Sequence, residues 1–166
     1  MRLFIAVDLS EPMKKSLVNV MHEMKKQGIN ASYIPKQNLH MTLAFIGETN
    51  KADEIRQIMD RIPIEKSRLA FSGYGYFGDR MWIGIKGNQK MKKYAADLRK
   101  ELSAAGIPCD MKKFEPHVTL LRNLKGKHPA DLPVPSEDMT FAKVSLMKSE
   151  MKDGKRVYQE IYAVQA

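Results

Sequence analysis

Two short segments of the sequence place a histidine and a threonine two residues apart. They are His40-Met41-Thr42-Leu43 and His117-Val118-Thr119-Leu120, and their histidines are 77 positions apart. In a β-strand, residues i and i+2 point to the same face. Each histidine would therefore share a face with its threonine, while the apolar residues beside them face a core. Strands of this kind are typical of the wall of a functional site.

Two histidines that face one cleft could carry out acid–base catalysis. The pKa of a histidine lies near ~6.5 in its unperturbed state, so that one ring can be neutral and the other protonated near neutral pH. The neutral ring would accept a proton from an attacking water, and the charged ring would donate one to a leaving alkoxide. The two threonine hydroxyls could bind nonbridging phosphate oxygens. The pattern therefore favours a reaction at a phosphate ester.

Arg122 follows the second motif and is a further candidate for phosphate binding. Its planar guanidinium group could hold a phosphate through two hydrogen bonds. In a regular strand, however, Arg122 would face away from His117. Its use at the site therefore requires that the strand ends or bulges near Leu121.

The residue types around the two motifs do not favour a metal or a cofactor. Each motif holds one histidine, with no cysteine pair and no carboxylate at ligand spacing beside it. A zinc ion held by His40 and His117 is the alternative. Neither Cys109 nor any serine lies in a recognisable nucleophile motif. We expect no metal site and no cofactor.

The charge of the chain favours an anionic partner. Of its 166 residues, 28 are Lys or Arg and 19 are Asp or Glu, which gives a net charge of +9. Such an excess suits nucleic acid or a phosphorylated small molecule, although a merely soluble basic protein would also show it. The single cysteine, Cys109, excludes an internal disulfide and favours a reducing, cytoplasmic setting. No apolar run approaches the ~20 residues of a membrane span, so we expect no membrane partner.

Apolar periodicity predicts three helices and several strands. The helices are expected to begin at caps and end at breakers, in the pairs Ser10 and Gly28, Asn50 and Pro63, and Asn88 and Gly106. Strands are expected at both motifs and at 3–7, 68–77, 81–85, 139–147 and 156–164. The turns at 78–80 and at Asp153-Gly154 indicate antiparallel hairpins, and 125–138 is predicted to be the least structured segment.

Each histidine motif follows a predicted helix and an extended linker and is followed by more strand. This order predicts a pseudo-repeat of two α+β halves that face each other. An accidental resemblance between two ordinary strands would give the same spacing, so the repeat is an interpretation of the pattern.

The paired motifs and their context resemble the 2H phosphoesterase superfamily. Within it, the sequence is most similar to the bacterial and archaeal RNA 2′,3′-cyclic phosphodiesterases, which are also called 2′-5′ RNA ligases. The similar segments span most of the chain and are 2–7, 33–43, 45–48, 80–82, 114–122 and 149–150.

This resemblance implies an α+β fold made of one bilobal domain over residues 1–166, with two antiparallel sheets lining a central cleft, helices outside and a pseudo-two-fold axis. It implies metal-independent opening of an RNA 2′,3′-cyclic phosphate to a 2′-phosphomonoester by a monomeric, cytoplasmic enzyme. At the matching positions, His40 would be the proton donor to the departing O3′ and His117 the proton acceptor. Thr42, Thr119 and Arg122 would bind the phosphate of the RNA end.

Other functions are compatible with the same residues. The fold could hydrolyse 2′-5′ oligonucleotides or a small cyclic nucleotide phosphate, or work in reverse as a 2′-5′ RNA ligase. A non-catalytic RNA-binding module is the alternative of another class, although binding alone needs no matched proton donor and acceptor. Phe4, Tyr33 or Trp82 could stack a terminal base, but we expect Phe4 and Trp82 to be core residues.

Overall fold

The computed structural model describes residues 1–110 and 114–166. Within them lie nine strands, which are β1 (Arg2–Asp8), β2 (Asn30–Tyr33), β3 (His40–Glu48), β4 (Ser67–Phe77), β5 (Arg80–Lys86), β6 (His117–Lys125), β7 (Asp138–Phe141), β8 (Lys143–Lys152) and β9 (Lys155–Gln165). The helices of the same residues are α1 (Glu11–Lys26), α2 (Ala52–Arg61), α3 (Gln89–Ala104) and a short 3-10 helix, Lys36–Asn38.

The strands form two antiparallel sheets, as the resemblance implies. The first sheet has the order β3-β1-β8-β9, and the second has the order β2-β6-β5-β4-β7. Each sheet contains one histidine motif, on β3 and on β6. These two strands contact each other, so the motifs meet where the sheets meet. The predicted α+β class with two sheets at a cleft is confirmed.

Helix α1 follows the predicted pattern closely. Ser10 is its N-cap, and the Oγ atom accepts a hydrogen bond from the backbone N–H of Met13 at 3.4 Å. The apolar residues at helical spacing are all buried, and they are Met13, Leu17, Val20, Met21 and Met24. They join one core cluster that draws residues from both sheets and all three helices. Burying each such side chain contributes about 1.5–3 kcal/mol.

Two of the predicted helix caps are wrong in detail. Helix α2 begins at Ala52 with Lys51 at the cap position and no side-chain cap, so Asn50 does not cap it. Instead, the hydroxyl of Thr49 accepts a hydrogen bond from the N–H of Lys51 at 3.1 Å. Asn88 does occupy the cap position of α3, but its side-chain amide donates to the carbonyl of Ile85 at the end of β5.

The single strand predicted at 139–147 is wrong, because the chain changes sheets there. Strand β7 pairs with β4 in the second sheet, whereas β8 pairs with β1 and β9 in the first. Ala142 is the one residue between them. Both Phe141 and Val144 are fully buried, so a short apolar run serves two sheets in succession.

The two hairpins and the irregular loop are confirmed. Asp153 and Gly154 both adopt left-handed backbone angles between β8 and β9, which is the geometry that a two-residue hairpin favours. Residues 126–137 contain no helix or strand. The loop is nevertheless attached, since Gln27 exchanges two hydrogen bonds with the backbone of Ala130 at 2.7 and 2.9 Å.

Within the described residues, none of the helices has the length and apolar character needed to cross a membrane.

Candidate active site

The ring of His40 is held at both nitrogens. Nδ1 lies 2.6 Å from the backbone oxygen of Asn38, to which it donates a hydrogen bond. Nε2 lies 3.0 Å from Oγ1 of Thr42, the residue two positions along the strand. With the Nδ1 proton given to a carbonyl, Nε2 is the nitrogen left to accept or donate a proton. The predicted His40–Thr42 pair on one strand face is present.

Two aromatic rings enclose His40. Phe4 lies 4.9 Å away between ring centroids, and Tyr158 of β9 lies 5.2 Å away, edge to face. Phe4 is only 4% exposed, so its predicted place in the core is confirmed, and it also contacts the site. Tyr158 was missed by the sequence analysis, because strand β9 is remote from both motifs along the chain.

The pKa of His40 lies below its usual value. Burial, which disfavours the charged imidazolium, is the main cause, and the positive charges of Arg122 and Lys14 act in the same direction. The hydrogen bond to Asn38 and the carboxylate of Asp8 oppose the shift without cancelling it. In the absence of an anionic ligand, His40 therefore favours its neutral form.

His117 is oriented in the same way as His40. Its Nδ1 donates to the backbone oxygen of Glu115 at 2.7 Å, again a carbonyl two residues earlier. Trp82 and Phe77 lie against its ring, with centroids 5.9 and 5.8 Å away. The described residues give Nε2 of His117 no hydrogen-bond partner, which leaves it available to a ligand. Trp82 is half-buried beside the site, so its predicted core position is only partly correct.

Each motif strand contains a bulge at the same place in its motif. Thr42 and Ala44 pair with consecutive residues of β1, which leaves Leu43 as the extra residue of β3. In β6, Thr119 and Leu121 pair with consecutive residues of β5, which leaves Leu120 as the extra residue. A bulge places two successive side chains on nearly the same face and shifts the alternation by one.

The bulge in β6 is the irregularity that allows Arg122 to face the same side of the strand as His117. Leu120 and Leu121 are both fully buried, so the next residue returns to the face that carries His117 and Thr119. Arg122 is exposed there, and its charge acts on His40 across the cleft. Arg122 thus shares a face of β6 with His117 and Thr119, and its charge reaches the His40 ring on β3.

Glycines make room for the aromatic ring beside His117. A Cβ atom built on Gly75 would lie 2.2 Å from the ring of Trp82, so the indole lies directly over this residue. Gly84 is the cross-strand partner of His117. A Cβ atom built on Gly84 would likewise overlap a neighbouring side chain, here that of Ser72. The sequence signal was the Gly73-Tyr74-Gly75 pattern within an otherwise aromatic strand.

An ion pair with a buried lysine and an exposed aspartate adjoins the first motif. Asp8 is the cross-strand partner of His40, and its Oδ1 lies 3.0 Å from Nζ of Lys14. The lysine is only 7% exposed. This pair could not be predicted from the sequence, because the aspartate ends one predicted strand and the lysine lies inside a helix.

A polar cavity of about 310 Å³ lies at the far end of β6. It is lined by strands β2 and β6 and by the turn between β4 and β5, through Asn30, Ala31, Ser32, Asp79, Asn123, Leu124 and Lys125. Ser32 is the cross-strand partner of Arg122, so the cavity adjoins the phosphate-binding candidates.

The remaining candidate, Tyr33, is engaged elsewhere. Its hydroxyl donates to the carbonyl of Ile29 at 2.8 Å, and the ammonium group of Lys25 lies 4.9 Å from its ring centroid. A search of residues 1–110 and 114–166 finds no group of three or more His, Cys, Asp or Glu side chains that could hold a metal ion.

Comparisons with known proteins agree with this geometry. The model of the family described as the 2′-5′ RNA ligase superfamily matches residues 14–150. The curated RNA 2′,3′-cyclic phosphodiesterase of Thermotoga maritima is 28% identical over 179 aligned residues, which cover 99% of this chain and 95% of that protein. Crystal structures of Escherichia coli LigT match with TM-scores of 0.86 in the apo form and 0.84 with 3′-AMP. Both are 22% identical and cover 99% of this chain and 96% of LigT, which shows the fold alone.

Proposed function

The chain belongs to the 2′-5′ RNA ligase superfamily, and we propose that it hydrolyses RNA 2′,3′-cyclic phosphate ends to 2′-phosphomonoesters. The observation that carries the proposal is the matched orientation of two histidines. Each has its Nδ1 proton bonded to a carbonyl two residues earlier and lies two positions before a threonine of the same strand, which in the first motif contacts Nε2. A binding module would need no such duplicated arrangement.

The proposed reaction needs one proton acceptor and one proton donor. Nε2 of His117 takes a proton from water as the water oxygen forms a bond to phosphorus. The bond from phosphorus to O3′ breaks, and His40 donates its proton to that oxygen, so the phosphate remains on O2′. Thr42, Thr119 and Arg122 bind the nonbridging oxygens, whose negative charge grows in the transition state.

The lowered pKa of His40 bears on which histidine is the acid. A proton donor must begin protonated, which burial disfavours in the free protein. An anionic phosphate bound within a few ångströms would favour the charged ring and raise this pKa again. We propose that the substrate itself loads His40 with its proton, so that the donor becomes competent only in the complex.

The partner in this proposal is an RNA or oligonucleotide that ends in a 2′,3′-cyclic phosphate. The net charge of +9 would favour contacts with its phosphates. The described residues contain no cluster suited to a metal, and the proposed chemistry needs none. We further propose a monomer in the cytoplasm, where the single Cys109 would stay reduced.

The test is to incubate the protein with a short RNA that ends in a 2′,3′-cyclic phosphate, in excess EDTA, and to identify the product end. We expect a 2′-phosphate. His40→Ala and His117→Ala should each lower kcat by about 10²–10⁴-fold while RNA is still bound. His22→Ala is the matched control, since this histidine is exposed on α1, and it should be fully active.

Three results would contradict parts of the proposal. An unchanged RNA that still binds would indicate a non-catalytic module. A 3′-phosphate product would keep the enzyme but change the oxygen that His40 serves. Loss of turnover in EDTA, restored by a divalent ion, would overturn the metal-independent mechanism.

A further inference from the structure

The two motif strands have the same bulge but different neighbours. Strand β6 lies inside the second sheet, between β2 and β5, whereas β3 is the edge of the first sheet. At the bulge of β6, the carbonyl of Leu120 accepts a hydrogen bond from the backbone N–H of Ile34, next to β2, at 2.9 Å. Among the described strands, none pairs with the outer edge of β3 to supply the equivalent donor.

A side chain supplies that donor instead. Nε of Arg99, on α3, donates to the carbonyl of Leu43 at 3.0 Å. Leu43 is the extra residue of the β3 bulge, as Leu120 is of the β6 bulge. The next carbonyl on this edge, that of Phe45, accepts from the backbone N–H of Asp110 at 3.2 Å. Arg99 and the backbone of Asp110 therefore supply the donors that a neighbouring strand would give to this edge.

The same arginine also contacts the segment that precedes the second motif. Its guanidinium carbon lies 5.4 Å from the ring centroid of Phe114, in the arrangement of a cation–π contact. Phe114 precedes His117 by three residues, and the buried Pro116 lies between them. One side chain thus contacts the strand that carries His40 and the segment that delivers His117.

We propose that Arg99 is a positioning residue for the reaction. It fixes the bulge of β3, and with it the direction of His40 and Thr42, relative to His117 on the other sheet. This inference rests on the proposed function for its catalytic consequence. A displacement of about 1 Å between reacting groups can cost ~10²-fold in rate, so a residue that touches no substrate can control turnover.

Arginine suits this position because its planar group can donate a hydrogen bond from Nε while its face lies on an aromatic ring. Lysine offers a single point charge at the end of a flexible stem and cannot do both. Arg99→Lys should therefore restore only part of what Arg99→Met loses.

The experiment compares Arg99→Met, Arg99→Lys and the control Arg61→Met on a cyclic-phosphate RNA. Arg61 forms an exposed ion pair with Glu101 at 3.2 Å, also between helices. We expect kcat to fall about 10²-fold in Arg99→Met, with KM changed by less than about threefold. Arg99→Lys should lose about tenfold. Arg61→Met should keep its activity.

A second readout does not depend on turnover. The ¹⁵N resonances of the His40 ring should shift in Arg99→Met and Arg99→Lys but not in Arg61→Met, because β3 carries both the ring and Thr42, the partner of Nε2. Unshifted resonances in the folded variants would overturn the inference. So would full activity of Arg99→Met. An inactive wild-type protein would overturn the proposed function instead, and the resonances would still test the position of His40.

Discussion

Both proposed catalytic histidines are oriented by a backbone carbonyl rather than by a carboxylate. A carbonyl carries no titratable charge, so it fixes the tautomer without strongly raising the basicity of the ring. What then separates the two rings is their surroundings. His40 lies between Phe4 and Tyr158 with Thr42 on its Nε2, while the described residues leave Nε2 of His117 open. The two copies of the motif thus place their histidines in unequal surroundings, as acid–base catalysis requires of a proton donor and a proton acceptor.

The first prediction concerns the pH dependence of stability. Because the pKa of His40 is lowered in the folded protein, the unfolded chain binds a proton more readily below its value of ~6.5. Its contribution to the free energy of unfolding is therefore complete above that pH and is lost as pH falls through the lower, folded value. Urea denaturation at pH 7.5 and 5.5 should show a smaller decrease for His40→Gln than for the wild type. His22→Gln should behave as the wild type, and equal decreases in all three proteins would contradict the assignment.

The second prediction separates the acid from the base. In His117→Ala, the residual activity depends on His40 alone. If His40 is the donor, kcat/KM of this variant should fall as pH rises through the lowered pKa of His40, since the proton that His40 gains on binding comes from solvent and kcat/KM follows the pKa of the free protein. A rise over the same range would instead make His40 the base. Product analysis at each pH guards against background hydrolysis.

The third prediction uses the contact between Gly75 and Trp82. In Gly75→Ala the new methyl group would overlap the indole ring, which must move against Phe77 and His117. We expect a loss of about 1–3 kcal/mol in the free energy of unfolding and a drop of about tenfold in kcat. Gly73→Ala is the control, because a Cβ at that position meets no atom within 4 Å. Equal behaviour of the two variants would show that the position of the indole does not matter.

At the scale of single elements, repetition in the sequence predicted most of what positions the site. Helix α1 and both motif strands follow directly from apolar spacing, because their buried faces are regular. The bulges could not be located from the sequence, since Leu43-Ala44 and Leu120-Leu121 are compatible with either a core run or a regular strand. The sequence indicated only that the second motif strand must end or bulge near Leu121 if Arg122 is to face the site. The partners of the β3 edge, Arg99 and Asp110, could not be identified from the sequence because they lie far along the chain from β3.

The change of sheets at Ala142 is reflected in the spacing of apolar residues in the sequence. Buried or half-buried apolar residues alternate at 139 and 141 and then at 144 and 146, so the period of two slips by one residue. A slip of this kind ends one half-buried strand and begins another. The prediction of one strand over 139–147 did not take this slip into account.

The fourth prediction concerns the cavity formed by β2, β6 and the β4–β5 turn. Its polar lining next to Arg122 could contact the nucleotide that precedes the cyclic end. Asn123 has a left-handed backbone and donates to the hydroxyl of Ser32 at 3.2 Å. Asn123→Asp should keep that backbone but repel RNA, so that kcat/KM falls for a dinucleotide substrate and is unchanged for a mononucleoside 2′,3′-cyclic phosphate. Equal losses on both substrates would place the effect at the reacting phosphate instead.

At the scale of the whole molecule, one core cluster joins the two sheets. We therefore predict that residues 1–166 unfold as a single domain in one cooperative transition. Trp82, the only tryptophan, reports on the second sheet, whereas far-ultraviolet circular dichroism reports on all elements. The two probes should give the same midpoint in urea. Two separated midpoints would show that the lobes are independent domains.

The order of strands in the first sheet has a consequence for synthesis of the chain. Strand β1 is made first, and it pairs with β3 on one side and with β8 on the other, where Leu3 lies opposite Lys148. While a ribosome is still translating α3, one edge of β1 has no partner. Its apolar residues would then need shelter from aggregation until the last two strands emerge. Among the described strands, the sheet that carries His40 therefore contains both the first strand to be synthesised and the last.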